Sequence, residues 1–570
     1  MTEEVLKSSA HPLVELASGI IQLDDSVATH RLVALALLEA CARYAKVTLF
    51  RPALLPSLAS KFFGSAGLGH PASTVPPRAA YLLCRTVKTL RQPISAISRD
   101  ILCALMPHLD AIARSPIDNQ SVYAKLGCSR PSGLAAAGAS ATVGVSGAGV
   151  STPDDRLFAF EAAGLLVGSS EDEKIQVEWL QALTRPLIEQ LERTDGNGVT
   201  SSEPSVSSTA ADKQMSEQRI QSGNDQNGQY QAALCRQCME ALTRISKGFA
   251  SKMCASRPKL TQALLQPLEP AVKAVKALYM VKEFRAKFLA YVHRLVECLG
   301  EPIVPLLPTV FWALDHPQMD ASDFKDILVL VNQIVVRFTS NQTIIDSVVI
   351  PLFADCSSKV HEYLGSDWDW SMRTSLEGVE DQGTGSTEEL RERAELQKQY
   401  YTIVNSVSQC TPVIDRVLSR DSAAVSDVFQ GAVLNMDPAV RRLCIATLSG
   451  IVLHWVRTQP LVEVKEVVSR FGCDVLVFGL LVKPEAGGID IRDAGSIALL
   501  SEIATQVKLL ATNDRVGDVF LSAVVETATT RYGWNQEIAG ELVAQIRTLD
   551  GRALRSYLKS MVVVGRERLR

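Results

Sequence analysis

The 570-residue sequence predicts an all-α fold: a HEAT-like α-solenoid of about ten helix pairs. Three observations predict it. Amphipathic helical segments of roughly 12–22 residues follow one another along most of the chain. Hydrophobic residues make up 47% of the sequence but aromatics only 6%, so the apolar content is carried by small and aliphatic side chains suited to helix packing. Strand signals are nearly absent, and the Asp-Gly pairs at 195–196 and 550–551 do not join alternating runs.

In chain order, the segment RAAYLLCRTVKTLR at 78–91 shows the helical logic first. Ala79, Ala80, Leu83, Val87 and Leu90 share one face, and Arg78, Arg85 and Lys88 lie opposite. Pro76 and Pro77 stand at its start, where a missing N–H costs nothing. A similar opening occurs in TPDDRLFAFEAAGLL, and again in DPAVRRLCIATLSGIV at 437–452. There Asp437 and Pro438 open the helix, Val440, Cys444 and Ile451 face the neighbour, and Arg441 projects sideways, suited to a ladder between repeats. Within 277–299, Phe284, Phe288, Tyr291, Val292, Leu295 and Leu299 form the core face. Lys282, Lys287, His293 and Arg294 occupy the exposed half.

Three polar stretches interrupt this pattern. The expected order is HEAT-like repeats over 1–115, a Gly/Ala/Ser-rich loop over 116–153 and a further repeat over 154–193. A polar linker over 194–229, repeats over 230–364, an acidic loop over 365–388 and C-terminal repeats over 389–570 follow. Helix pairs of this kind cannot bury their apolar faces alone, so neighbours stack and build a long shared surface.

Charge and cysteines narrow the class. With 58 Lys+Arg against 62 Asp+Glu the net charge is −4, which argues against bulk attraction to nucleic acid but permits a locally basic surface. No segment reads as the ~20 apolar residues of a membrane helix; the longest clean run, Val475 to Val482, reads as buried helix. The start lacks a secretory leader, and the 12 cysteines are dispersed like the free core thiols of a soluble intracellular protein.

Motifs for catalysis are missing. There is no GxxxxGK[ST], no HExxH and no Gly-x-Ser-x-Gly, and the Gly-rich GSAGLGHP at 64–71 reads as a turn. Cys235 and Cys238 form a lone CxxC inside a helical pattern, without the further ligands zinc requires. The acidic pairs Asp154-Asp155 and Glu388-Glu389 sit at helix starts, where they favour the helix dipole. No catalytic residue, metal site or cofactor is expected.

What stands out is local positive charge. From Lys273 to Arg294 there are six basic residues and one acid, Glu283, and the segment 551–570 repeats that excess. A solvated helix face is the plain reading of any one of them. Collectively Arg78, Arg85, Lys88, Lys282, Lys287, Arg294, Arg552, Arg555 and Lys559 suit a discontinuous track for a phosphate backbone. Aromatics are not interleaved with these basics, which favours folded RNA read through phosphate and 2′-OH contacts over stacked single strands.

The collinear segments HPLVELA, LLEACARYAKV, RAAYLLCRTVKTL, DDRLFAFEAAGLLV and LTRPLIEQLE resemble the exportin-T family of karyopherin-β proteins. YVHRLVECLGEPIVPLLP, DFKDILVLVNQIVVRF, DPAVRRLCIATLSGIVLHWV and RALRSYLKSM continue the resemblance to about residue 562. It implies a C-terminal half of a longer exporter, lacking the N-terminal arch that carries most of the Ran contact. It further implies a non-enzymatic carrier of tRNA, binding cooperatively with GTP-bound Ran and shuttling between nucleus and cytoplasm past nuclear pore proteins, without membrane insertion. The competing reading is a HEAT-repeat scaffold that binds only proteins.

Overall fold

In the computed structural model the described residues are 11–117, 153–195, 226–365, 387–419, 422–435, 437–481 and 489–568. Of these 84% are helical and none is in a strand. Most of the three predicted loop stretches, 118–152, 196–225 and 366–386, lies outside the described residues, as do 1–10 and Val482. The chain divides into two compact units, Met1–His316 and Pro317–Arg570.

The first unit contains α1 (Pro12–Gln22), α2 (Arg31–Tyr44), α3 (Leu55–Phe63), α4 (Val75–Thr89), α5 (Ser98–Arg114) and α6 (Phe158–Gly168). It continues with α7 (Glu173–Glu192), α8 (Gln226–Ser246), α9 (Pro258–Leu265), α10 (Leu268–Ala277), α11 (Lys282–Leu299) and α12 (Leu307–Leu314). These form two layers. In the first, α2, α4, α6, α8 and α11 each pack on the next; in the second, the sequence is α1, α3, α5, α7, then α9 and α10, then α12.

The second unit repeats the scheme with α13 (Ala321–Phe338), α14 (Ile350–Leu364), α15 (Thr387–Ser408), α16 (Ala423–Leu434) and α17 (Pro438–Thr458). Then come α18 (Leu461–Ser469), α19 (Ala494–Ala511), α20 (Gly517–Thr530), α21 (Gln536–Thr548) and α22 (Gly551–Arg568). Here α13, α15, α17, α19 and α22 stack successively, and the remaining helices pack on them. Each unit therefore holds five stacked first-layer helices, in agreement with ten helix pairs.

The three segments with a shared opening, α4, α6 and α17, all fall in the first layer. The Asp437 side chain caps α17 by accepting from the Ala439 N–H at 2.8 Å, with Pro438 at the first turn. Ala79, Ala80, Leu83, Val87 and Leu90 are buried, as are the six core-face residues expected in α11. Gly300 ends α11 at φ 69°, a conformation that only glycine adopts without strain. The run from Val475 to Leu481 is helical and buried.

Two expectations need correction. Arg441 does not project sideways: it is buried at 5% exposure, and its Nε donates to the Ala432 carbonyl of α16 at 3.0 Å. An arginine stem long enough to reach the preceding helix finds a carbonyl there. By length and composition α17 and α19 are apolar enough to cross a membrane, although no segment was expected to be. Both are stacked first-layer helices, and 67% of the apolar window of α17 is buried inside the protein.

Helix α6 and the end of α8 approach backbone to backbone. A Cβ on Gly164 would overlap the carbonyl of Ile245, and one on Gly248 would overlap the carbonyl of Gly164. Gly168 meets the Gly248 carbonyl in the same way. By contrast, a Cβ on Gly450 in α17 meets only the Ser408 hydroxyl, at 3.8 Å. Gly164→Val is therefore expected to cost about 3 kcal/mol or more through overpacking of backbone on backbone. Gly450→Ala is expected to stabilise by up to about 1 kcal/mol through helix propensity. Urea unfolding midpoints of the two variants test this difference in sign.

Candidate nucleic-acid interface

The α6–α8 contact carries an ionic cluster. Glu161 lies one helical turn before Gly164, so the glycine approach brings its side chain between α4, α6 and α8. Its carboxylate is only 2% exposed yet charged, which burial permits only with cations at hand. Oε1 accepts from Lys88 Nζ at 2.6 Å, and Oε2 accepts from Lys247 Nζ at 3.1 Å and Arg244 Nη1 at 3.4 Å.

The cluster extends along the first layer. Arg244 Nε also donates to Glu240 Oε1 at 2.8 Å, and Glu240 Oε2 accepts from Lys287 Nζ of α11 at 2.7 Å. Toward the other end, the Arg244 guanidinium lies 4.0 Å from the Phe158 ring centre. Phe158 meets Tyr81 edge-on at 5.2 Å, and Arg78 sits 5.0 Å from the Tyr81 ring. Arg78 Nε donates to Glu39 Oε1 of α2 at 2.6 Å. Polar and ring contacts thus join all five first-layer helices of this unit.

Burial opposes ionisation of Glu161, but hydrogen bonds and charges from Lys88 and Lys247 outweigh it and hold the carboxyl below its usual range. Glu240 behaves likewise, its burial outweighed by Arg244 and Lys287. For Lys88, burial is outweighed by the Glu161 hydrogen bond, and its amine is shifted upward. Four cations (Lys88, Arg244, Lys247 and Lys287) share two carboxylates, so positive charge is left over. The surplus faces water: the side chains of Lys88, Lys247 and Lys287 are 53%, 45% and 42% exposed, while Glu240 is 20% exposed.

The exportin-T family model matches residues 1–207 and 212–566. The chain belongs to the exportin-T family. It is 25% identical over 578 aligned residues to exportin-T of Arabidopsis thaliana, covering 99% of this chain and 51% of that protein. Exportin-T of Homo sapiens is 22% identical over 566 residues, covering 97% of this chain and 50% of the relative. The chain thus spans about half the length of the curated relatives it matches. The cytosolic state of importin 13 shares the fold, with TM-score 0.57, 11% identity and coverage of 98% of this chain and 52% of that one.

Within this exportin-T chain the nine basic residues singled out by sequence divide into two kinds. Arg78, Lys88 and Lys287 sit in the ionic series described above. Arg294 donates through Nη2 to the carbonyls of Ser246 at 3.1 Å and Phe249 at 2.7 Å, and pairs with Glu297 at 2.7 Å. Arg85 and Lys282 are exposed on α4 and α11. In the second unit Arg552 and Lys559 are exposed, and Arg555 Nη1 donates to the Ser501 hydroxyl of α19 at 3.1 Å. The first unit thus brings Lys88 and Lys287 into one cluster and holds Arg294 at the α8–α11 contact.

Sequence reasoning missed Glu161, Glu240, Arg244 and Lys247, whose partners are 47 to 86 positions apart except within α8. It also missed that aromatics are interleaved with the basics: Tyr81 and Phe158 stand between Arg78 and Arg244. Each ring has a guanidinium group of the protein against it. Arg285, one of the six clustered basics, is buried and lies 4.7 Å from the Tyr279 ring.

Cys235 and Cys238 are both fully buried, and burial pushes the Cys235 thiol up to about 12 and Cys238 upward as well. Such thiols are protonated core side chains, not nucleophiles. Among the described residues no group of three or more His, Cys, Asp or Glu could hold a metal ion.

A carboxyl held below its unfolded value adds stability that is present above that value and lost as pH falls through the folded one. Glu161→Gln is expected to cost about 2 kcal/mol at pH 7, less than for fully buried partners because the lysines stay half-exposed. The gap to the parent chain should close below the ordinary value of 4.5. Urea midpoints at pH 7 and pH 3.5 check this. Separately, Arg294→Ala is expected to cost about 1–3 kcal/mol by stripping two carbonyls of their donor. Arg85→Ala should leave stability within about 0.5 kcal/mol, as expected at an exposed position.

Proposed function

We propose that the chain is the tRNA-binding part of a karyopherin-type nuclear export receptor. Membership of the exportin-T family along nearly its whole length carries this reading, and the name of its relatives supplies the transport role. The surplus of solvent-facing cations over buried carboxylates supports an anionic, backbone-rich cargo. In this reading mature tRNA binds cooperatively with GTP-bound Ran, the complex passes nuclear pore proteins, and the receptor shuttles between nucleus and cytoplasm without catalysis. Cooperativity needs only that both ligands favour the same arrangement of stacked repeats, and the coupling is then reciprocal. Arg85, Lys282, Arg552 and Lys559 are proposed as direct phosphate contacts. Lys282, like Arg78, Lys88, Lys287, Arg294 and Arg555, also has contacts within the protein, and these six are proposed to offer the donors left over from them.

Binding of a tRNA transcript to the full chain, with and without GTP-bound Ran and across potassium chloride concentrations, tests the proposal. A steep negative slope of log affinity against log salt is expected, with tighter binding when Ran is added. Absent or salt-insensitive RNA binding would overturn it in favour of a HEAT-repeat scaffold for proteins. Arg85→Glu with Lys282→Glu should lower tRNA affinity by about tenfold and make the salt slope shallower by about two. Unchanged affinity would remove these residues from the interface.

A further inference from the structure

We infer that Glu161 is a positioning residue for RNA: it spaces the amines of Lys88 and Lys247 to receive neighbouring phosphates of one strand. The inference rests on the proposed tRNA cargo and assigns a part of the molecule to it. Lys88 is held on Oε1 and Lys247 on Oε2 of the same carboxylate, at 2.6 and 3.1 Å. The two amines therefore cannot separate by more than the width of that group and two hydrogen bonds, which is the scale of phosphate spacing along a strand. Each ammonium has three donors, and the carboxylate takes one. The others face water, since the lysine side chains are 53% and 45% exposed while Glu161 is 2% exposed.

The buried acid thus costs the surface little positive potential but fixes where the charge stands. Fixing two flexible lysines before binding removes part of the ordering cost that free side chains incur. Lys88 lies on α4 and Lys247 just beyond α8, with α6 between them, so a bound strand would bridge three consecutive first-layer helices. The rings at this junction, Phe158 and Tyr81, already carry guanidinium groups. One face of each ring is thereby occupied by a cation of the protein itself. A backbone read through its phosphates fits what remains.

The sign of one substitution separates positioning from simple charge. Glu161→Gln raises the net positive charge by one, so bulk electrostatics alone would tighten tRNA binding. Positioning instead predicts affinity about tenfold weaker with a shallower salt slope, and recovery of most of the loss in Glu161→Asp. The measurement is fluorescence anisotropy of a labelled tRNA transcript with the full chain over a potassium chloride series. It is made at a temperature where circular dichroism shows every variant folded. Equal or tighter binding by a folded Glu161→Gln protein overturns the inference while leaving the tRNA reading in place. No tRNA binding by the parent chain overturns both. Should Glu161→Gln fail to fold, Lys88→Met and Lys247→Met decide: each should lower the slope by about one, and unchanged slopes overturn the site. Displacement of tRNA by poly-glutamate as readily as by polyphosphate would overturn the assignment to RNA in favour of an acidic protein segment.

Discussion

One buried carboxylate sets the order of the first unit. Glu161 sits where α6 and α8 meet backbone to backbone, at a distance that only Gly164, Gly168 and Gly248 permit. A charge in such a place must be matched or it costs several kcal/mol. The match comes from α4 on one side and from the end of α8 on the other, so the helix spacing, the charge and the neighbours' side chains are mutually dependent. Loosening the glycine contact would strand the carboxylate, and removing the carboxylate would leave three cations crowded at a narrow junction.

From that point the remaining contacts follow in sequence along the layer. Arg244 is shared between Glu161 and Glu240, and Glu240 in turn holds Lys287 on α11. On the other side Arg244 and Arg78 flank the Phe158–Tyr81 pair, and Arg78 reaches Glu39 on α2. In the three lysine pairs the acid lies inward and the amine outward, which lets a chain of net charge −4 present a basic stretch on one layer. Counting charges along the chain cannot distinguish those directions; burial does.

The fold was legible because helix periodicity is a local property. The apolar stripe of α11 and the Asp437 cap of α17 are written within one or two turns of sequence, and both appear where periodicity places them. The basic residues were legible as residues but not as roles. Lys88 looks like a solvated lysine until Glu161, 73 positions away, is brought beside it. Glu161 itself reads as one more acid near a helix start, and Gly164 as a helix-weakening glycine, because neither carries a local signal of what packs against it. Arg441 misleads for the same reason, since its Nε donates to a backbone carbonyl that no side-chain pattern announces.

Among the described residues, the two units also show different kinds of contact between first-layer helices. In the second, Thr447 on α17 donates to Asn405 of α15 at 3.1 Å, Ser449 meets Gln506 of α19, and Arg555 of α22 meets Ser501. Apart from Arg555 these are neutral groups, and their hydrogen bonds are short-ranged and little affected by salt. The first unit uses full charges with a surplus of cations, whose interactions weaken as ionic strength rises and strengthen when a polyanion approaches. A phosphate strand laid across α4, α6 and α8 would therefore meet helices whose mutual contacts respond to the same field that attracts the ligand. Between neutral rungs and charged ones, only the charged kind lets occupancy by an anion alter how firmly consecutive repeats hold together. On the proposed reading, the charged junction around Glu161 is where a phosphate strand and the packing of consecutive repeats would be coupled within the first unit.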